Sequence, residues 1–322
     1  MILGRFTAAL ALGTATPLVT AAQQSGVDSA VQLYRRHDYT AAAEVLSPAS
    51  SAGDPAAYYW LGRIALAQYN ADEAVRWLEK AVQANDSSSE YHLWLGRAYG
   101  TKAEHASLFK RPSLAQQTKA EFERALALDP ANIDARDDLI TYLVEAPGFL
   151  GGSRDRAEAM ARELRRLNPY RGALAAGTIA KSKGNTLGAQ AEYRALMQSY
   201  PDSAEPVMRI ATFYQHDRRW GDALALVDSF LARRPSDPDP LYHLGEIAAL
   251  SGQRLDAGAE ALERYLAMPV SEDLPSYADA HYRLGMIQER RGNAAAARTE
   301  YEAAIALNPE LKGARSALDR LR

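Results

Sequence analysis

Cysteine is absent from all 322 residues. That removes disulfides, thiolate metal sites, cysteine nucleophiles and cysteine-linked lipid anchors together. Neither sign of charge dominates: 37 basic against 40 acidic residues leave a formal charge of −3. With no broad basic field, nucleic acid is not an expected partner. Beyond the N-terminus no segment approaches the roughly eighteen apolar residues of a membrane span. The six histidines form no i, i+4 pair with one another and no His-Glu-x-x-His. Pro147-Gly148-Phe149-Leu150-Gly151-Gly152 is followed by no Gly-Lys-Ser/Thr, so it is not a phosphate loop. Acidic pairs such as Asp137-Asp138 read as solvated helix faces or caps. No enzyme site, metal site or cofactor is expected.

What is present is an ordinary soluble composition, 47% hydrophobic and 24% charged, preceded by a different regime. Met1–Arg5 carries one positive charge, Phe6–Val19 is apolar or small, and Thr20-Ala21-Ala22 offers small residues for cleavage. This reads as a secretory signal peptide over residues 1–22, cut after Ala21 or Ala22. A short membrane anchor is the competing reading. The stretch is short and rich in Ala, Gly and Thr, which favours export over anchoring. The expected location is periplasmic or secreted, with no stable membrane span after cleavage.

A 34-residue beat follows. Ala189, Ala223 and Ala257 are spaced by 34, as are Pro201, Pro235 and Pro269. Gly177, Gly245 and Gly285 each stand twelve residues before Ala189, Ala257 and Ala297. Fixed self-similarity at this period marks a helix–turn–helix solenoid. In the unit from Asp239 to Pro269, Leu241, Leu244, Gly245, Ile247 and Ala248 make one apolar stripe. Gly252 ends that helix, and Ala257, Ala261, Leu262 and Leu266 mark a second one that stops before Pro269. Small residues at Gly245 and Ala257 would let the two helices approach closely. Eight units are expected over residues 23–309, seven good ones and a degenerate first around Val27–Ala49. Residues 310–322 should form a lone helix, with Leu311, Ala314, Leu318 and Leu321 covering the end of the stack.

These residues and spacings resemble the tetratricopeptide repeat (TPR) family, and Trp60-Leu61-Gly62 and Trp94-Leu95-Gly96 resemble its first-helix pattern. The resemblance implies an all-α, right-handed α-solenoid with a C-terminal capping helix. It also places first helices on the concave face. Arg63, Arg97, Arg171 and Lys181 would then line the earlier half of a groove, and Glu205, Asp239, Glu246, Asp279 and Glu289 the later half. Tyr59, Tyr242 and Tyr282 would stand between them. A groove basic at one end and acidic at the other would orient an extended peptide; solvated surface charge is the alternative. The lysine–asparagine clamp that some family members use for C-terminal carboxylates is not evident.

The beat is broken near residues 102–117, near 146–152 and around Val270–Pro275. The first two breaks carry apolar pairs, Leu108 with Phe109 and Phe149 with Leu150. They could meet as a lid or pocket beside the groove, or simply pack on each other. Their pairing resembles exported bacterial TPR proteins of unassigned function. The function implied is non-catalytic: a scaffold or assembly factor binding a protein or peptide in the bacterial cell envelope. The alternative is an accessory module of envelope polysaccharide or secretion machinery that binds glycan or lipid.

Overall fold

The computed structural model describes residues 21–271 and 274–321, with side chains from residue 26. The expected signal peptide lies outside the described residues, apart from its last two, which open the first helix. The described chain is all α and carries no strand. Its helices pair as antiparallel hairpins: α1 (Ala21–Arg35) with α2 (Tyr39–Ser51), α3 (Pro55–Ala67) with α4 (Ala71–Ala84), and α5 (Ser89–His105) with α6 (Arg111–Leu128). Next come α7 (Ile133–Glu145) with α8 (Arg154–Leu167), α9 (Pro169–Ser182) with α10 (Thr186–Ser199), and α11 (Ala204–His216) with α12 (Trp220–Leu231). The last pairs are α13 (Pro238–Ser251) with α14 (Leu255–Leu266) and α15 (Tyr277–Arg290) with α16 (Ala294–Leu307), and α17 (Lys312–Arg320) closes the array.

The repeated glycines act as contact points. A Cβ at Gly245 would lie 2.2 Å from Leu262 Cγ, and one at Gly62 2.4 Å from Leu78 Cγ. Both leucines are fully buried, so these hairpins close only because the facing position has no side chain. In the seventh hairpin the small residue of the second helix is Gly258, whose Cβ would meet that of Ala248 at 2.3 Å. Ala257 is only half-buried. Helix α13 runs six residues past Gly245, one more than α3 runs past Gly62, and this moves the contact by one position. The turn that follows holds Arg254 at φ 53°, a conformation that costs a side-chain-bearing residue about 1 kcal/mol.

The degenerate first repeat is a full hairpin, with Val27, Ala30, Tyr34, Ala42 and Leu46 buried. The break near 102–117 is mostly helix. Helices α5 and α6 run 17 and 18 residues, against 13 and 14 in the hairpin before them, and only residues 106–110 form the turn. The break near 146–152 is a longer turn containing a short 3₁₀ stretch, Gly148–Leu150. At the end, Ala317 and Leu318 of α17 pack with Ala297 and Tyr301, and Ala314 is buried.

The array curls back on itself. His37, in the turn of the first hairpin, places Nε2 3.1 Å from the carbonyl of Val270, and its ring lies 5.2 Å from that of Tyr277. Tyr69, in the second turn, hydrogen bonds with Ser276. The third break in the beat is therefore where the two ends of the array touch. Tyr265 and Tyr277 anchor it by donating to the carbonyls of Pro275 and Met268. No helix among the described residues is long and apolar enough to cross a membrane.

Candidate functional site on the inner face

The first helix of each hairpin faces the inside of this curl, and its charges are paired, some across neighbouring helices and some within one helix. Arg97 on α5 donates to Asp138 on α7 at 2.6 Å. Arg171 on α9 reaches back to Asp137 at 2.6 Å and to Asp134 at 3.3 Å. Glu205 on α11 accepts from Arg209 and Tyr170, both at 3.1 Å. His243 and Asp239 pair at 3.1 Å on α13, and Arg283 on α15 donates to Glu246 at 2.8 Å. The expected division into a basic first half and an acidic second half does not hold. Every stretch carries both signs, because each charge meets a partner on its own helix or on a neighbouring first helix.

Between α7, α9, α11 and α13 lies a cavity of about 540 Å³. Ile140, Leu174 and Met208 give it an apolar floor. Thr141, Thr178 and Thr212 add hydroxyls, and the Asp137–Arg171, Glu205–Arg209 and Asp239–His243 pairs lie along it. Leu274 and Pro275, from the segment where the ends of the array meet, line its far side.

The titrations reflect this crowding. Burial holds the Asp137 carboxyl above the usual carboxylate range; Arg171 opposes that shift, and Asp138 and Glu205 add to it. Burial likewise lifts Asp138 against the pull of Arg97. Burial disfavours the charged imidazole of His243, but the bond to Asp239 outweighs it and leaves the group above its ordinary value. Of these two carboxyls Asp137 lines the cavity, where a further donor or cation would favour its charged form.

The residues expected to line the groove divide into two groups. Arg171, Glu205 and Asp239 border the cavity. Arg63 instead lies over the rings of Trp94 and Trp60, 4.0 and 4.5 Å from their centroids. Lys181 sits 5.6 Å from the ring centre of Phe213. Tyr59 and Tyr242 are buried, so neither is a free stacking platform; Tyr59 donates to Glu90 and accepts from Arg63. Tyr282 packs on Tyr301 and beside Gly313 of the capping helix. Glu289 accepts from Tyr301 and Arg320, holding that cap rather than facing the groove. Asp279 closes a capping box with Ser276.

The expected lid is not formed. Phe109 is 95% exposed and Phe149 80%, and Leu108 is also exposed. Leu150 is half-buried and its carbonyl accepts from Tyr142.

Sequence reasoning read Asp137-Asp138 as a solvated face or cap, whereas both are held by arginines on neighbouring helices, and it passed over Arg209, His243 and the three threonines. A signal was available. Arg171, Glu205 and Asp239 recur at intervals of 34 on successive first helices, so the residues beside them share the same inner face. The histidines read as structural are so placed: His92 is buried and bonded to Glu121 at 2.6 Å, and His281 meets Glu300 at 2.7 Å.

Comparison with known proteins agrees with this architecture. Tetratricopeptide repeat family models match residues 33–97, 214–267 and 247–312. Over 130 residues the chain is 31% identical to cellulose synthase operon protein C of Pseudomonas fluorescens (strain SBW25). That match covers 38% of this chain and 10% of the relative, so the chain spans about a tenth of that protein's length. Among solved structures, the thermophilic TPR protein TTC0263 of Thermus thermophilus superposes with a TM-score of 0.50 at 22% identity. That superposition covers 59% of this chain and 98% of that one. A tetratricopeptide repeat protein of Parabacteroides merdae ATCC 43184 gives a TM-score of 0.48 at 12% identity, over 81% and 95% of the two chains. In its helical hairpins, its glycine contacts and its matched repeats, this chain is a tetratricopeptide repeat protein, of the kind that serves as a scaffold for protein interaction.

Proposed function

We propose that the protein is a non-catalytic scaffold or assembly factor of the bacterial cell envelope, binding an extended segment or helix of a partner in the inner cavity. The observation that carries this reading is the cavity itself. It combines an apolar floor with hydroxyls and ion pairs from four consecutive first helices, a surface that contacts a chain along its length rather than at one reactive atom. The Asp137 carboxyl, raised by burial and lining the cavity, favours a partner segment bearing a basic side chain. Periplasmic or secreted location rests on the composition of residues 1–22.

A second reading, an accessory module of envelope polysaccharide machinery, is supported by the match to cellulose synthase operon protein C. Affinity purification after crosslinking in the native host tests both, comparing the unmodified chain with Thr178→Trp, which fills the cavity. The scaffold reading expects one envelope protein with the unmodified chain and its loss with the variant. Recovery of polysaccharide alone would support the second reading, and equal recovery by both chains would move the site off the cavity.

A further inference from the structure

The four most exposed large apolar side chains are Leu108 (76%), Phe109 (95%), Phe149 (80%) and Leu187 (79%). They come from three consecutive hairpins, yet all stand on one edge, where first helices end and second helices begin. The second of these turns packs on the helix that follows the first. The 3₁₀ stretch at Gly148–Leu150 packs on α6, and a Cβ at Gly151 would lie 3.0 Å from Lys119 Cε. Lys119 lies eight residues into α6, roughly 12 Å along the helix from Arg111 at its start.

The turns of this edge lean basic, with exposed Glu104, Glu145 and Asp155 on the helix ends beside them. The turns 106–110, 146–153 and 183–185 contain Lys110 and Lys183 and no acidic residue. Arg111 and Arg154 follow directly as the first residues of α6 and α8. Lys183 pairs with Glu158 at 2.5 Å, while Arg111 turns back onto the carbonyls of Ala106 and Glu104. On the opposite edge of the same hairpins the turns 129–132 and 200–203 carry Asp129 and Asp202 and no basic residue. The basic edge also holds the N-termini of α6, α8 and α10, the positive ends of their dipoles. Helix α6 lacks a side-chain cap altogether.

We propose that this edge is a peripheral docking surface for an anionic lipid bilayer, with Phe109, Leu108, Phe149 and Leu187 entering the acyl boundary and Lys110 at the headgroups. The shape favours lipid over protein. The apolar groups are separate protruding tips with no groove between them, whereas a protein interface needs a contiguous packed core. An acyl boundary accepts isolated apolar tips of any outline, and basic neighbours add attraction to anionic headgroups. This surface lies apart from the inner cavity, so it would present that cavity at a membrane without occupying it.

Because the chain has no cysteine, a single introduced one carries a unique label. Phe109→Cys and Phe149→Cys, each bearing an environment-sensitive fluorophore, are mixed with vesicles of phosphatidylcholine alone or equimolar with phosphatidylglycerol. Asp202→Cys on the opposite edge serves as the control. The expected result is a blue shift at 109 and 149 with the anionic vesicles only, and none at 202. In co-sedimentation, Phe109→Ser with Phe149→Ser should weaken vesicle binding by about tenfold or more. Labels that stay in water with both vesicles would overturn the proposal and leave a protein as occupant. An equal shift on neutral vesicles, or an equal shift at 202, would overturn it too, the last pointing to the N-terminal apolar stretch.

Discussion

At the scale of single residues, absent side chains set the spacing of helices. A methyl group at Gly245 would overlap Leu262, which is fully buried and has little room to retreat. Gly245→Ala is therefore expected to cost about 1–3 kcal/mol, measured as a shift in the denaturant midpoint with an unchanged slope. The glycines were legible in the sequence because that steric demand recurs in each hairpin. Gly258 was not, since one extra residue in α13 moved the contact off the beat at Ala257. His243 supplies a pH test at the same scale. Its raised value comes from the pair with Asp239, working against burial. A raised folded-state value means protonation stabilises the fold. That contribution is complete below the ordinary imidazole value of 6.5 and is lost as pH rises through the higher folded value. Stability of the unmodified chain relative to His243→Gln should therefore fall on going from acid to mild alkali. A difference that grows with pH would refute the pairing.

At the scale of elements, the sequence disclosed how much was added but not what form it took. Ten surplus residues near 102–117 were evident from the spacing. They became four more residues in each of α5 and α6 and two more in their turn, relative to the preceding hairpin. Runs such as Lys102-Ala103-Glu104 are good helix formers, so the outcome follows local propensity. The same surplus leaves Leu108 and Phe109 at the end of a longer arm. Both arms were visible as breaks in the beat, whereas Leu187, on a hairpin of regular length, carried no mark. The capping helix acts through few contacts. Leu318→Ala should cost about 2 kcal/mol, the lower end for a buried leucine because its site borders solvent. Hydrogen exchange should show that loss concentrated in α16 and α17.

At the scale of the whole molecule, the contact between the first two turns and residues 270–277 closes a curl that no local pattern announces. It joins positions more than two hundred residues apart, and His37 and Tyr69 carry no sequence signature of it. His37→Ala with Tyr69→Ala should release that contact, so small-angle scattering should report a larger radius of gyration while helical content stays unchanged. The inner charges teach a related lesson. Each lies on a first helix, and the i,i+4 pairs Glu205–Arg209 and Asp239–His243 follow from spacing. The partners of Arg97, Arg171 and Glu246 on neighbouring helices could be found only in three dimensions. Pairing turned a groove expected to be bipolar into one of alternating sign.

The central claim is that the inner cavity holds the partner. A photo-crosslinking residue at position 212, inside the cavity, tests it most directly against one at position 194 on the outer helix α10. With both proteins irradiated in the native host, adducts at 212 should map to a defined stretch of one polypeptide, with none at 194. Adducts at 194 without any at 212 would contradict the account.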